Sequence, residues 1–299
     1  MNAELSGYAQ LLRTTADTAE EISSLDFWKE QSGSEASREI DSVSNGNESL
    51  ITEFAIRTAY SAAQMGVHVC VQHARAASEI VGLEISPLSI EVLARAAIDV
   101  AATTWWITED GIGVRRRVCR LQLIRMNSAM ELQKVLDEIG VSNADRRYGE
   151  TEDDVAAYSQ RMGIEPFVNI ARLGRNAGCE KELRPTYSAR ANSLLKFYGG
   201  DAAYMMYSGS THGELWSIWR NFRDEESTLS ETNPGRRLAP NRVALHSAVN
   251  VIFLSMVSQI DAIGRMFGWS VDSPQGEKWA PVRRAIRHSM DWRNFDAKL

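Results

Sequence analysis

The sequence predicts an all-α protein, a single bundle-like domain of about eight to ten helices around one core. Three observations carry that expectation. Apolar residues recur at three- and four-residue steps through most of the chain, and no stretch of useful length alternates apolar and polar residues as a strand would. Helix-start signals such as Ser86-Pro87, Thr151-Glu-Asp-Asp154 and Pro185-Thr186 stand where the periodic segments begin.

Residues Ala3 to Glu30 carry Leu5, Tyr8, Leu11, Leu12, Ile22, Leu25 and Trp28 at helical spacing, and Gln31 to Ser49, rich in Ser, Gly, Asn and Glu, reads as a loop. The chain is therefore expected to divide into an N-terminal helix with a flexible loop, 1–49, and a helical core domain, 50–299, that ends in a basic helix. Ser49 to Gly82 is a long Ala/Val/Met/Ile helix. Its His68 and His73 lie about 140° apart around the axis and cannot share a metal as residues four apart would. Leu88 to about Glu109 follows, with Arg95 and Asp99 one turn apart in an otherwise apolar middle. Val114 to about Ile139 opens on an arginine ladder, Arg116, Arg117 and Arg120. Shorter helices are expected over Thr151–Met162, Pro166–Arg175 and Pro185–Tyr198, with Gly178 to Arg184 and Asn221 to Pro240 as loops. Asn241 to Phe267, stopped by Gly268, is a strong apolar helix. Its His246, Asn250, Gln259 and Asp261 mark it as a buried helix rather than a membrane span. The tail, Trp279 to Trp292, sets Val282, Ile286 and Met290 against Arg283, Arg284 and Arg287.

Composition narrows the function classes. In 299 residues, 44% are hydrophobic, enough for a sizeable core, and 33 Lys and Arg against 39 Asp and Glu give a net charge of −6. That balance argues against a general nucleic-acid binder. Cys70, Cys119 and Cys179 form no CxxC, which suggests reduced thiols, and the N-terminal segment lacks the basic and apolar regions of a signal peptide, so a cytoplasmic protein is expected. No phosphate-binding glycine loop, GxGxxG, HExxH, GxSxG or Glu-x-x-His pair occurs, so no metal, nucleotide or other cofactor is expected.

The stretch from Tyr204 to Arg220 gathers the most chemistry. Asp201 to Tyr207 reads as a short helix broken at Gly209, and Thr211 with Glu214 has capping-box spacing for a new helix. That would place His212 in a first turn, where N–H groups and the dipole disfavour imidazolium and leave the ring able to accept a proton. Trp216 and Arg220 would lie on the same side. Either His212 packs at a helix junction with the tryptophans in the core, or it faces a pocket with the hydroxyls of Tyr207, Ser208 and Ser210. Arg95 and Asp99 are likewise either a structural pair or part of a site, because burying an ion pair is a poor way to gain stability. Arg116 and Arg120 either face solvent or grip an anion.

Three segments taken together resemble a group of uncharacterised all-helical actinobacterial proteins. They are Leu93 to Ile107, with its Arg-x3-acid pair, the arginine-rich run from Val114 to Leu132, and the Ser-x3-His-Gly turn at Tyr207 to Gly213. The resemblance spans roughly residues 88 to 220, and the acid here is Asp99 where the group more often has Glu. It implies a place in antibiotic biosynthesis; one activity associated with proteins of that description is aziridine ring formation with loss of sulfate. A second similarity is to HEPN ribonucleases, through Arg283-Arg-Ala-Ile-Arg-His288, with Arg284 where a polar residue is usual.

The expectation is a cofactor-independent enzyme or enzyme subunit, lyase- or cyclase-like, that acts on an anionic small molecule by elimination or ring closure with loss of an anionic group such as sulfate. His212, Asp99 and Tyr207 would be catalytic, and Arg95, Arg116, Arg120, Ser210, Trp216 and Arg220 would bind substrate. A partner subunit or homodimer would be compatible with this, and neither nucleic acid nor membrane is expected as a partner. The alternatives are a HEPN-like ribonuclease toxin and a non-catalytic helical interaction protein.

Overall fold

A computed structural model describes residues 3–24, 29–47, 50–82, 87–140, 149–164, 186–195, 201–212, 214, 222–224, 238–240, 242–270 and 272–289. Ten helices lie among them: α1 Ala3–Ile22, α2 Glu35–Ser44, α3 Glu53–Gly82, α4 Pro87–Ile107, α5 Gly113–Glu138, α6 Glu152–Arg161, α7 Tyr187–Leu195, α8 Asp201–Thr211, α9 Arg242–Phe267 and α10 Pro274–Ser289. The protein is all-α, as its periodicity predicts. Among the described residues the strands are a three-residue antiparallel pair, β1 Phe222–Asp224 with β2 Leu238–Pro240, at the two ends of the segment expected as a loop.

The centre is a stack of three long helices, α3, α4 and α9, with α1 against α3. They meet at one polar contact. Gln259 of α9 donates through Nε2 to Thr104 Oγ1 of α4 at 2.8 Å. Gly66 of α3 lies directly under it, so close that a Cβ there would stand 2.0 Å from Thr104 Oγ1. A glycine inside a helix costs stability unless close approach requires it, and here it does. α9 is long and apolar enough to cross a bilayer by length and composition, but its window is 78% buried inside the fold.

Local signals set the boundaries. Thr151 accepts from Asp154 N at 3.2 Å while Asp154 accepts from Thr151 N at 3.1 Å, the capping box that starts α6. Thr186 accepts from Ala189 N at 3.1 Å at the start of α7. Gly268, at φ 76°, ends α9, and Trp269 N returns to Gly264 O at 2.8 Å.

Two expectations fail. The segment 35–44, expected as loop, is α2, capped by Ser34, which accepts from Ser37 N at 3.1 Å. α2 is fixed by charge. The fully buried Arg117 of α5 donates to Glu39 at 2.9 Å and to Glu35 at 2.6 Å, and also reaches the Ile107 carbonyl. Tyr60 donates to Glu39 at 2.8 Å. Burial, with the Glu39 charge beside it, pushes the Tyr60 phenol above its ordinary value. α1 and α2 place Leu12, Ile22 and Ile40 in the same core as α3. Second, Cys119 is disulfide-bonded, not a reduced thiol, and its partner lies outside the described residues. Cys70 is free, and burial pushes its thiol up to about 12.

Candidate functional site

α4 presents a polar stripe to α7 and α8: Glu91, Arg95 and Asp99, spaced by one turn each, followed by Trp106. Residues at that spacing share a face, and α8 crosses it so that its own stripe meets the α4 stripe rung by rung. At the first rung the buried Ser210 donates to the buried Glu91. At the second, Arg95 donates to Tyr204 Oη and its guanidinium lies 3.8 Å from the Tyr204 ring centroid. Asp99 pairs with the same arginine; the two side chains are 13% and 30% exposed. Tyr207, one turn beyond Tyr204, is buried and shares a 2.8 Å hydrogen bond with Ser247 of α9.

α7 closes the stripe from the other side. The Arg190 guanidinium lies 4.6 Å from the Tyr187 ring and 5.5 Å from Trp106. Arg120 of α5 lies 5.0 Å from the Trp106 ring, so that ring stands near two arginines, one from each neighbouring helix. Burial pushes the Tyr204 phenol above its ordinary value and Asp99 adds to that, against the opposing pull of Arg95; Tyr187 and Arg190 act on the same phenol from α7. Tyr204 therefore holds its proton at neutral pH. Asp99 Oδ1 is buried and accepts no hydrogen bond from any described residue. A buried carboxylate oxygen without a donor is costly to leave so. Its position beside a protonated phenol and two arginines gives the face one acceptor, one proton donor and cationic groups able to hold an anion.

The expected site is brought together in part. Arg95, Asp99, Tyr207 and Ser210 sit on the facing surfaces of α4 and α8. Tyr207 and Ser210 are committed inward, to Ser247 and Glu91. His212 is not at the start of a helix. α8 runs unbroken through Gly209 to Thr211, whose hydroxyl donates to the Tyr207 carbonyl at 3.0 Å, and His212 N donates to Ser208 O at 3.0 Å. His212 thus follows a helix C-terminus, the negative end of the dipole and the opposite of the expected setting, and it is exposed. The arginine ladder also divides. Arg116 is exposed, whereas Arg120 is buried and donates to the Trp106 carbonyl and to Glu109 at 2.5 Å each. Trp216, Arg220 and the helix expected over Pro166 to Arg175 lie outside the described residues.

Tyr204, Tyr187, Arg190 and Glu91 were missing from the expected site. Glu91 stands one turn before Arg95 and could have been found from spacing alone; Arg190 is the single charge in α7. On α10, Arg283 turns inward to Asp261 at 2.7 Å while His288 is exposed. A five-residue step turns a helix by about 140°, so the two do not face one pocket. Among the described tryptophans, Trp106 and Trp279 are buried and Trp105 and Trp269 half-buried, so they do not form an exposed patch. No group of three metal-binding side chains occurs among the described residues.

The chain matches no protein-family model, no curated protein and no solved structure. Any functional reading therefore rests on the chemistry of the site itself.

Proposed function

We propose that the chain is a cofactor-independent enzyme, or the catalytic subunit of one, that acts on an anionic small molecule by acid–base chemistry at the face shared by α4, α7 and α8. The observation that carries this reading is the half-satisfied Arg95–Asp99 pair: a buried carboxylate oxygen without a donor, next to a phenol held protonated. Such a pair gains little stability and gives the chemistry a base and an acid side by side. In this reading Arg95 and Arg190 hold the substrate anion, replacing the expected role of Arg116 and Arg120. Asp99 takes a proton from the substrate, the freed electron pair closes a ring or a double bond, and the anionic group leaves with its own pair toward Tyr204 and the arginines. A sulfate or phosphate ester fits that demand. His212 has no part in the proton transfer.

A thermal-shift screen with sulfate, phosphate and their monoesters tests the reading on the whole chain. A ligand at a hundred times its dissociation constant adds about 2.7 kcal/mol to stability. Arg95→Met is expected to abolish the shift and His212→Ala to leave it intact. A shift that survives Arg95→Met, or that disappears with His212→Ala, contradicts the proposed site.

A further inference from the structure

α9 and α10 enclose a second cleft, of about 420 Å³, apart from the α4 stripe. A neighbouring cavity of about 470 Å³ reaches Trp105 of α4 and Leu194 of α7. Asp261, Arg265 and Arg283 line both, so the two spaces share one wall.

The chemistry of that wall is out of keeping with an acidic chain. α10 turns Arg283, Arg284 and Arg287 toward the cleft, positions three and four apart that share a helix face. Arg283 is paired with Asp261 and Arg265 with Asp110 at 3.0 Å. Arg284 and Arg287 make no ion pair among the described residues. Asp261 also accepts from the Trp279 indole at 3.1 Å, which fixes both Trp279 and Arg283 around one carboxylate. Apolar walls complete the space: Trp269, whose ring lies in van der Waals reach of Gly264, and Trp279.

We infer that this cleft is a binding site for an aromatic phosphate. Arg284 and Arg287 take the tetrahedral anion, a geometry that guanidinium forks match with paired hydrogen bonds. Trp269 and Trp279 supply the flat apolar wall for the ring. This inference is independent of the reading of the α4 face.

The test is 19F NMR of the whole chain labelled with 5-fluorotryptophan, its Trp269 and Trp279 signals assigned by Trp→Phe variants, titrated with phenyl phosphate and separately with inorganic phosphate. The expected result is saturable movement of at least one of these signals by phenyl phosphate, with inorganic phosphate binding at least tenfold more weakly. The double variant Arg284→Gln/Arg287→Gln should weaken phenyl phosphate at least tenfold. These two side chains are exposed and make no ion pair among the described residues, so the variant is expected to fold with an unchanged melting temperature. Arg95→Met should leave phenyl phosphate binding unchanged. The inference is overturned if neither signal saturates, if the double variant binds as wild type does, if the two phosphates bind equally, or if Arg95→Met abolishes the effect.

Discussion

Replacing Gly66 with alanine pits intrinsic helix preference against tertiary packing at a single atom. In an exposed helix interior the change stabilises by about 1 kcal/mol. In α3 the new Cβ would lie 2.0 Å from Thr104 Oγ1 and 3.0 Å from Gln259 Nε2, both on buried side chains. Forcing an extra carbon into a filled core costs about 1–3 kcal/mol. Pushing Thr104 away from Gln259 also breaks a buried hydrogen bond, at a further cost of about 1–3 kcal/mol. The central values leave a net loss of about 3 kcal/mol after the helix gain, which for a chain of this size lowers the melting temperature by about 5–10 °C. Thermal and urea melts followed by circular dichroism at the helix band measure it. A cycle with Thr104→Ala gives the sharper reading. Removing Oγ1 opens the space, so Gly66→Ala should cost less in that background than in wild type, with a coupling of about 1 kcal/mol or more. A Gly66→Ala protein more stable than wild type would refute the claim that α3, α4 and α9 meet as closely as described.

Two other perturbations follow from the buried charges. Glu39→Gln leaves the guanidinium of the fully buried Arg117 without its main counter-charge and is expected to cost about 3–5 kcal/mol in urea unfolding, more than Glu35→Gln, because Glu35 is only a partial partner at the rim; equal costs would show that α2 is not held this way. His73 gives a pH signature. Burial holds its imidazole below the ordinary value of 6.5, so the fold prefers the neutral ring. As pH falls through that value the unfolded chain takes up a proton that the folded chain resists, and stability declines. The decline between about pH 6.5 and pH 5 should be shallower in His73→Gln, and an identical pH profile would remove His73 as its source.

The helices were legible because their signals are local. Thr151 and Asp154 cap each other within one turn, Thr186 and Gly268 mark an end each, and the apolar period of α3, α4 and α9 survives their few polar residues. α2 was hidden because Gln31 to Ser49 is rich in loop-forming residues. What orders it is Arg117, a long-range partner about eighty residues away that no local window contains. The same reasoning separates Arg117 from its neighbours: spacing groups Arg116, Arg117 and Arg120 as one ladder, but only packing decides that Arg117 is enclosed, Arg120 is turned to Glu109 and Arg116 is left outside. The setting of His212 was misjudged because Thr211 and Glu214 have capping-box spacing, and α8 instead continues through Gly209, which its packing on α4 tolerates. Asp99 and Arg95 could be paired from sequence; their third member, Tyr204, comes from a helix more than a hundred residues later.

The most direct test is turnover. Wild-type chain is incubated with a panel of sulfate and phosphate monoesters of amino alcohols, whose anion suits the arginines and whose amine suits Asp99, and released sulfate or phosphate is quantified by ion chromatography. The account predicts release from at least one ester by the wild type, and a loss of about a hundredfold or more in Asp99→Asn, the range expected for removing a general base, with ligand-induced stabilisation retained. Release that is undiminished in Asp99→Asn, or no release from any ester that stabilises the wild type, would contradict it.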